Sequence, residues 1–184
     1  MSGIFKWIRH FAHDRRSCLF YAYCSAQGTG REDPDVKVYD VWADIPENFR
    51  KIAVPSPWRS VLYHRMRRGE ARFLCLSEDG RRLDAYGWIQ DWRPFRRKFG
   101  ALAQSGTMLG PYWTAPEARG RGLYGRLLGH SLSLCSTQQA ILIYTSPDNV
   151  ASQRGIEKAG FRRLGRWDLV VWFGIFSRLR KITS

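Results

Sequence analysis

Residues 119–125 read Arg-Gly-Arg-Gly-Leu-Tyr-Gly, and this stretch, introduced by Pro116-Glu117-Ala118, decides the fold. It follows an apolar run typical of a strand and opens a run typical of a helix. Glycine lets the backbone approach an anion closely, and the unpaired N–H groups at a helix start point toward that anion. The guanidinium groups of Arg119, Arg121 and Arg126 would add charge-assisted hydrogen bonds to phosphate oxygens. The stretch therefore predicts a loop that binds a phosphate-containing ligand.

Spacing separates this loop from other glycine-rich loops. The P-loop pattern G-x-x-x-x-G-K-[ST] is absent. The string Gly120-x-Gly122-x-x-Gly125 fits the dinucleotide-binding pattern, but the acidic residue that this pattern needs is missing, because no Asp or Glu lies between Glu117 and Asp148. On this stretch alone, a basic helix start with glycines for tight packing is an open alternative.

A second stretch, residues 145–161, reads Thr-Ser-Pro-Asp-Asn-Val-Ala-Ser-Gln-Arg-Gly-Ile-Glu-Lys-Ala-Gly-Phe. Together the two stretches resemble the GNAT superfamily of acyl-CoA-dependent N-acyltransferases, and most of all small bacterial GNAT proteins of polysaccharide gene clusters. That family has a loop Q/R-x-x-G-x-G/A, which binds the CoA pyrophosphate, and a later helix of the type N-x-x-A/S-x-x-x-Y-E-K-x-G-F. Tyr124 stands where the family has Gly or Ala, and Ile156 stands where many members have tyrosine. The resemblance over residues 1–70 is slight.

The resemblance implies a fold, a co-substrate and a set of binding residues. The implied fold is mixed α+β, with a central, mostly antiparallel sheet that splays at the CoA site and is flanked by helices. The implied co-substrate is acetyl-CoA, whose pantetheine amides would pair with strand backbone near residues 112–114, and no metal is expected. The candidate binding residues are Tyr112, Trp113, Thr114, Arg119, Gly120, Arg121, Gly122, Leu123, Tyr124, Gly125, Asn149 and Ser152.

The implied reaction is direct transfer of an acyl group to a primary amine, which attacks only after it has lost its proton. No acidic residue occurs from residue 93 to 116, so Asp91 and Asp84 on the preceding strand are the candidates for the base. Asp91 is favoured because it lies nearer the end of the strand. Its alternative role is an ion pair with Arg93 or Arg96.

The leaving thiolate needs a proton or a positive environment. Ile156 cannot donate a proton, so Ser152, one helical turn earlier, is the candidate for contact with the sulfur. Its alternative role is that of a small residue that allows close packing.

Composition limits the class of protein. The chain has 184 residues, 44% of them hydrophobic, and a net charge of +14. These values suit a globular chain, and residues 1–184 are predicted to form a single domain. No apolar run reaches the length of a membrane span, and the N-terminus lacks the features of a signal peptide. The four cysteines show no C-x-x-C spacing and are predicted to be free thiols in a reducing cytosol.

The spacing of apolar residues and breakers predicts the elements. Helices are expected over 45–53, 59–68, 120–136 and 149–159, and a basic loop over 94–98. Strands are expected over 18–24, 72–76, 83–92, 106–114, 140–145 and 161–173.

Both ends of the chain combine apolar and basic residues. Ile4, Trp7, Ile8 and Phe11 recur at helical spacing, which predicts an amphipathic helix over 4–13 within an N-terminal segment 1–16. Residues 174–184 form a basic tail. Such segments suit weak peripheral contact with an anionic membrane at its inner face. Packing on the domain, or on a second subunit in a homodimer, is the alternative.

The acceptor is open at this point. A small-molecule amine is expected, with an amino sugar of a bacterial polysaccharide pathway as the suggested class. Four aromatic residues would suit a sugar face, although core packing explains them equally well: Trp88, Trp92, Tyr112 and Trp113. The alternative function is a non-catalytic module that senses CoA, or that binds RNA through Trp92, Phe95 and Phe99 among basic residues. Nucleic acid is the less favoured partner.

Overall fold

The computed structural model describes residues 13–23, 30–54, 58–136, 138–172 and 176–182. Its strands are β1 (His13–Tyr23), β2 (Lys37–Tyr39), β3 (Ala71–Leu76), β4 (Ala85–Asp91), β5 (Gly106–Leu109), β6 (Trp113–Thr114), β7 (Ala140–Thr145), β8 (Phe161–Trp172) and β9 (Phe176–Ile182). Its helices are α1 (Glu47–Ala53), α2 (Trp58–Arg67), α3 (Arg93–Phe99), α4 (Leu123–Ser133) and α5 (Val150–Lys158). Two 3₁₀ turns span Trp42–Asp44 and Pro116–Ala118.

The strands form one mixed sheet with the order β2-β3-β4-β5-β7-β1-β8-β9, and β6 pairs with β4. Strands β5 and β7 run parallel. The other strand pairs of the described residues are antiparallel. The predicted class, a mixed fold with a mostly antiparallel central sheet flanked by helices, is confirmed.

Neighbouring residues of a strand project to opposite faces of the sheet, and apolar residues occupy both sets of positions. Both faces of the sheet are therefore covered by helices. On β3, Leu74 and Leu76 join the core cluster beneath α4 and α5, whereas Phe73 and Cys75 join the cluster beneath α1 and α2. Beneath α3, on the same face as α1 and α2, a third cluster contains Cys18, Phe20, Trp92, Phe99, Met108, Leu142 and Leu169.

A bulge separates β5 from β6. Ile89 pairs with Leu109 and Tyr86 pairs with Trp113, so the two residues of β4 between them face the three residues 110–112. An extra residue on one strand bends that strand away from the regular ladder. The pairing of β5 with β7 ends at Ile143. Because β6 stays beside β4 while β7 continues beside β1, the sheet opens between β6 and β7.

Tyr112, the last residue of the bulge, is tied to α4. Its hydroxyl donates a hydrogen bond to Ser131 Oγ at 2.8 Å, and Ser131 Oγ donates to the carbonyl of Leu127 at 2.8 Å. The Tyr112 ring lies over Gly87 of β4, where an ideal Cβ would come within 2.2 Å of the ring. The bulge therefore needs a residue without a side chain opposite it.

Two sequence predictions about regular structure are wrong. Residues 94–98 were expected as a loop but lie in α3, because Phe95 and Phe99, one helical turn apart, pack with Trp92 against the sheet. Residues 106–114 form two short strands instead of one, because the bulge interrupts them.

The two ends of the chain also differ from expectation where they are described. Residues 1–12, most of the predicted amphipathic helix, lie outside the described residues, and residues 13–16 belong to β1. Residues 176–182 of the predicted basic tail form β9, which pairs with β8 along its length. Among the described helices, none is long and apolar enough to cross a membrane.

We predict that Gly87→Ala lowers the free energy of unfolding by about 1–3 kcal/mol, because the new methyl group overlaps the Tyr112 ring. The matched control is Gly129→Ala in α4, where the nearest atom to an ideal Cβ is the Arg31 carbonyl oxygen at 3.9 Å. That control should gain roughly 0.5–1 kcal/mol, because alanine favours a helix. Urea denaturation measures both values, and equal stability of the two variants would show that Tyr112 does not need the space at Gly87.

Candidate functional site

A cleft of about 880 Å³ lies where the loop before α4 faces the start of α5. Its lining comes from β6, from the start of α4 and from α5 along the length of that helix. The lining residues are Tyr112, Trp113, Thr114, Ala118, Arg119, Gly120, Gly122, Leu123, Tyr124, Gly125, Asn149, Ala151, Ser152, Gly155, Lys158 and Ala159. The structure thus brings together all the candidate binding residues except Arg121.

The loop before α4 depends on two glycines in left-handed backbone conformation. Gly120 has φ +78° and Gly122, the N-cap of α4, has φ +76°. No atom lies within 4 Å of an ideal Cβ at either position, so both face open space. The N–H groups of the first turn of α4 have no partner within the helix and lie beside the cleft. The loop therefore presents backbone donors to a ligand without side chains in the way.

The cations near the loop differ in whether their side chains have a partner within the protein. Arg119 and Lys158 both line the cleft, and neither side chain has an ion-pair or hydrogen-bond partner among the described residues. Arg121 instead pairs with Glu78. Arg119 and Lys158 are the cations placed for an anionic ligand, and the sequence analysis had not selected Lys158.

Arg126 does not serve the loop as expected. Its guanidinium binds Asp33 at 2.6 Å and Asp35 at 2.5 Å. The hydrogen bonds from Arg126 hold the pKa of the Asp33 carboxyl below its usual value. This ion pair ties the segment before β2 to α4, and it commits Arg126 to the protein's own carboxylates.

Asn149 begins α5. Its side-chain oxygen accepts a hydrogen bond from the Ser152 backbone N–H at 3.1 Å, which caps the helix. Because the cap fixes the first turn of α5, the Ser152 side chain is held at the cleft wall. The Ser152 hydroxyl has no hydrogen-bond partner among the described residues.

A smaller cleft, of about 180 Å³, lies in the opening between β6 and β7. It is lined by Gln90, Phe95, Met108, Leu109, Gly110, Pro111, Tyr112, Tyr124, Ile143, Tyr144, Thr145, Asn149 and Ser152. Four of these residues also line the larger cleft: Tyr112, Tyr124, Asn149 and Ser152. The two clefts therefore meet at one junction, defined by these four residues.

Only two side chains at the junction have an uncommitted hydroxyl. The hydroxyl of Tyr112 binds Ser131, and the amide oxygen of Asn149 caps α5. Tyr124 and Ser152 have hydroxyl groups without a partner among the described residues. Burial raises the pKa of the Tyr124 phenol well above its ordinary value, so the phenol keeps its proton at neutral pH.

Tyr124 occupies its place because α5 has a glycine beside it. An ideal Cβ at Gly155 would lie 2.7 Å from the Tyr124 ring, and the ring packs edge-on against Tyr112 at 5.5 Å. Ile156, the next residue, is fully buried in the core. Thus α5 has no phenol at residue 156. The phenol of Tyr124, from α4, instead packs against Gly155, the residue before it.

Asp91 and Asp84, the candidates for the base, line neither cleft. Asp91 Oδ1 accepts hydrogen bonds from the Arg93 backbone N–H at 2.7 Å and from Arg93 Nε at 3.1 Å. Asp84 is buried and binds Arg82 and the Glu78 N–H. Of the two, Asp91 is the one that is adjacent in sequence to a residue of the smaller cleft, Gln90. The ion pair with Arg93 agrees with its alternative role.

The aromatic residues expected at a sugar or RNA surface are mostly in the core. Trp88, Trp92 and Phe99 are buried, and Phe95 is partly buried beneath α2. A surface of exposed aromatics among basic residues is therefore absent from α3, and the expectation of RNA stacking there is wrong. Tyr112 and Trp113 do line the larger cleft.

The sequence model of the acetyltransferase (GNAT) family matches residues 37–161, more than half of the chain. The chain belongs to the GNAT acetyltransferase family. None of the curated proteins matches its sequence.

Solved structures of GNAT proteins resemble the fold. A GNAT-family protein from Novosphingobium aromaticivorans is 22% identical, with a TM-score of 0.61 over 92% of this chain and 66% of that one. A GNAT acetyltransferase from Colwellia psychrerythraea is 20% identical, with a TM-score of 0.62 over 86% of this chain and 56% of that one. A region described as a glucosamine N-acetyltransferase, in a fungal multi-domain β-N-acetylglucosaminidase, is 12% identical, with a TM-score of 0.56 over 86% of this chain and 21% of that one. This GNAT chain is thus shorter than the solved chains that it resembles.

We predict that Tyr124→Phe lowers kcat for acyl transfer about 100-fold, because loss of a positioned proton donor typically costs this much. Ser152→Ala should lower kcat less than about tenfold. The control is Tyr23→Phe, which removes a hydroxyl that is buried without a partner and lies outside both clefts.

Steady-state kinetics of thiol release, with thermal unfolding as a check on folding, measures the three variants. A normal kcat in Tyr124→Phe together with a large loss in Ser152→Ala would assign the proton transfer to the serine instead.

Proposed function

We propose that this GNAT protein transfers an acetyl group from acetyl-CoA directly to a primary amine. The observation that carries the proposal is the junction of the two clefts. The larger cleft joins the glycine loop to β6 and α5, and the smaller cleft opens through the sheet. Two ligands that enter from opposite sides would meet beside Tyr124 and Ser152.

The larger cleft suits CoA in charge and in hydrogen-bonding groups. Arg119 and Lys158, with the N–H groups at the start of α4, provide donors for a diphosphate. β6 pairs only with β4 among the described strands, so its other edge is available to the amide groups of pantetheine. When bound there, acetyl-CoA supplies the thioester that serves as the acyl donor.

The residues at the junction have separate tasks in this proposal. Tyr124 is protonated at neutral pH, so its hydroxyl can donate a hydrogen bond, and then a proton, to the leaving thiolate. Ser152 orients the sulfur or the pantetheine arm through its free hydroxyl. The Tyr112 hydroxyl and the Asn149 side-chain oxygen are bound within the protein, so these two residues act as fixed walls that hold the reacting groups in place.

Deprotonation of the amine is the task with least support from the lining residues. Within the described part of the chain, no carboxylate or histidine lines either cleft. A base outside the clefts would act through water, and Asp91, next to the cleft residue Gln90, is the sequence-based candidate. An amine of low basicity needs less help, which fits an amino-sugar acceptor.

Five further proposals come from the sequence: an amino-sugar acceptor, a bacterial polysaccharide pathway, a cytoplasmic location, peripheral contact with a membrane, and a homodimer. The fungal glucosamine N-acetyltransferase region is an example of this fold described with an amino-sugar acceptor. The alternative function, a module that binds CoA without turning it over, is separated from the enzyme by an assay of thiol release with a panel of amines.

We predict that Gly122→Asp abolishes binding of CoA, because it places a carboxylate against the diphosphate and obstructs the helix start. The matched control is Gly69→Asp. Like Gly122, Gly69 has a left-handed backbone, with φ +67°, and open space at its Cβ position. Gly69 precedes the first residue of β3, whereas the loop is bound to Glu78, beyond the last residue of β3. Both variants should lose similar stability. Isothermal calorimetry should show unchanged CoA affinity in Gly69→Asp and none in Gly122→Asp; unchanged affinity in both would show that CoA does not use this loop.

If Asp91 is the base, Asp91→Asn lowers kcat and kcat/KM, because the attacking amine loses its proton acceptor. The measurement is kcat/KM from pH 5 to 9, with an amine whose own pKa is known. Superimposable profiles for wild type and Asp91→Asn would leave Asp91 with its structural ion pair alone.

A further inference from the structure

Arg65 of α2 is a partly buried cation that contacts residues of the smaller cleft, although it is not itself one of the residues that line it. Its guanidinium stacks over the Phe95 ring at 4.7 Å, and Nη1 donates a hydrogen bond to Gln90 Oε1. It also lies close enough to Tyr144 for the two groups to influence each other's charge. Gln90, Phe95 and Tyr144 all line the smaller cleft. Two cleft residues thus contact the guanidinium, and a third lies within reach of its charge.

Gln90 fixes the guanidinium in place. Its side chain is buried, with 4% exposure, and its amide N–H donates to the carbonyl of Gly110 at 2.6 Å. Because a guanidinium only donates and a carbonyl only accepts, the orientation of this amide follows from its two partners. Arg65 is therefore connected through Gln90 to the bulge that opens the sheet.

No carboxylate of the described residues forms an ion pair with Arg65. Glu70, the carboxylate whose charge acts on it, binds Arg68 at 2.9 Å and lies 3.7 Å from Arg93. Burial lowers the pKa of the Arg65 guanidinium but leaves it charged at neutral pH, since this group does not lose its proton in proteins. A partly desolvated cation without a counter-ion is costly, so this position is suited to binding an anion.

The lining of the cleft agrees with this. Among the residues that the structure describes, neither Asp nor Glu lines it, and the chain as a whole has a charge of +14. An acceptor with several positive charges would find no counter-charge there and would be repelled at long range. A guanidinium with a flat arrangement of donors instead suits a carboxylate or a phosphate group.

We propose that the acceptor amine carries an anionic group, a carboxylate or a phosphate, which Arg65 binds. This inference rests on the proposed acetyltransferase function. The amine reaches the junction beside Tyr124 and Ser152, while the anion lies across the same small cleft against Arg65. Gln90 is a positioning residue that holds the guanidinium, and Phe95 supports it from below.

The test compares two pairs of acceptors that differ in one anionic group. Glucosamine 6-phosphate against glucosamine tests phosphate, and β-alanine against β-alaninamide tests carboxylate. The variants are Arg65→Met, which keeps the apolar stem, and Arg65→Lys, which keeps the charge. The control is Arg67→Met on the same helix, since Arg67 is exposed and stacks on Tyr63 at 5.8 Å, away from the cleft.

We expect Arg65→Met to lower kcat/KM for the anionic member of at least one pair by about 10- to 100-fold, mainly through KM, because charged hydrogen bonds are lost. The neutral member should change less than about threefold, Arg65→Lys should recover part of the loss, and Arg67→Met should resemble wild type. The pair that responds distinguishes phosphate from carboxylate. An equal loss for both members of each pair would assign Arg65 a structural role and overturn the proposal.

The neutral amines separate this inference from the function on which it rests. If wild type acetylates neutral and anionic amines equally and Arg65→Met changes neither, the anionic acceptor is wrong and the acetyltransferase stands. If wild type releases no thiol with any of the four amines, the proposed function fails for these acceptors, and the inference fails with it.

Discussion

The extra residue in the bulge between β5 and β6 is the constraint on which the rest of the site depends. Three residues, 110–112, face two on β4, and the ladder can continue only if the strand bends. The bend keeps β6 beside β4 and lets β7 follow β1. The opening between β6 and β7 is therefore a result of backbone geometry, and both clefts and their junction follow from it.

Small residues make this geometry possible. Gly87 leaves room for the Tyr112 ring, and Gly155 leaves room for the Tyr124 ring. Each glycine lies on a different element from the tyrosine that it accommodates, so each pair joins two parts of the fold at the site. In both pairs the missing side chain on one element defines the position of an aromatic ring on the other.

The local motifs predicted much of this arrangement from sequence. The glycine loop between a strand and a helix, the strand over 140–145 and the helix that follows it are each encoded by neighbouring residues, and the structure has all three at the predicted places. Ile156 of α5 provides no phenol, and Tyr124 of α4 provides one beside it. This arrangement depends on contacts between separate elements, so residue spacing alone does not show it. The ion pairs of Arg121 and Arg126 were missed for the same reason, because a basic residue in a motif can be bound by carboxylates far away in sequence. α3 was predicted as a loop because basic residues dominate its sequence, although it has two apolar side chains one helical turn apart.

The position of β1 has a consequence for the synthesis of the protein. β1 lies in the interior of the sheet between β7 and β8, and the bonded residues Ser17 and Asp168 are 151 positions apart. During translation, at about 5–20 residues per second, the first strand waits on the order of ten seconds for its neighbours. For that time its backbone N–H and C=O groups form an open edge to which another chain can add. Contacts of such long range also slow folding. β1 therefore stays open to such additions until the last third of the chain has emerged.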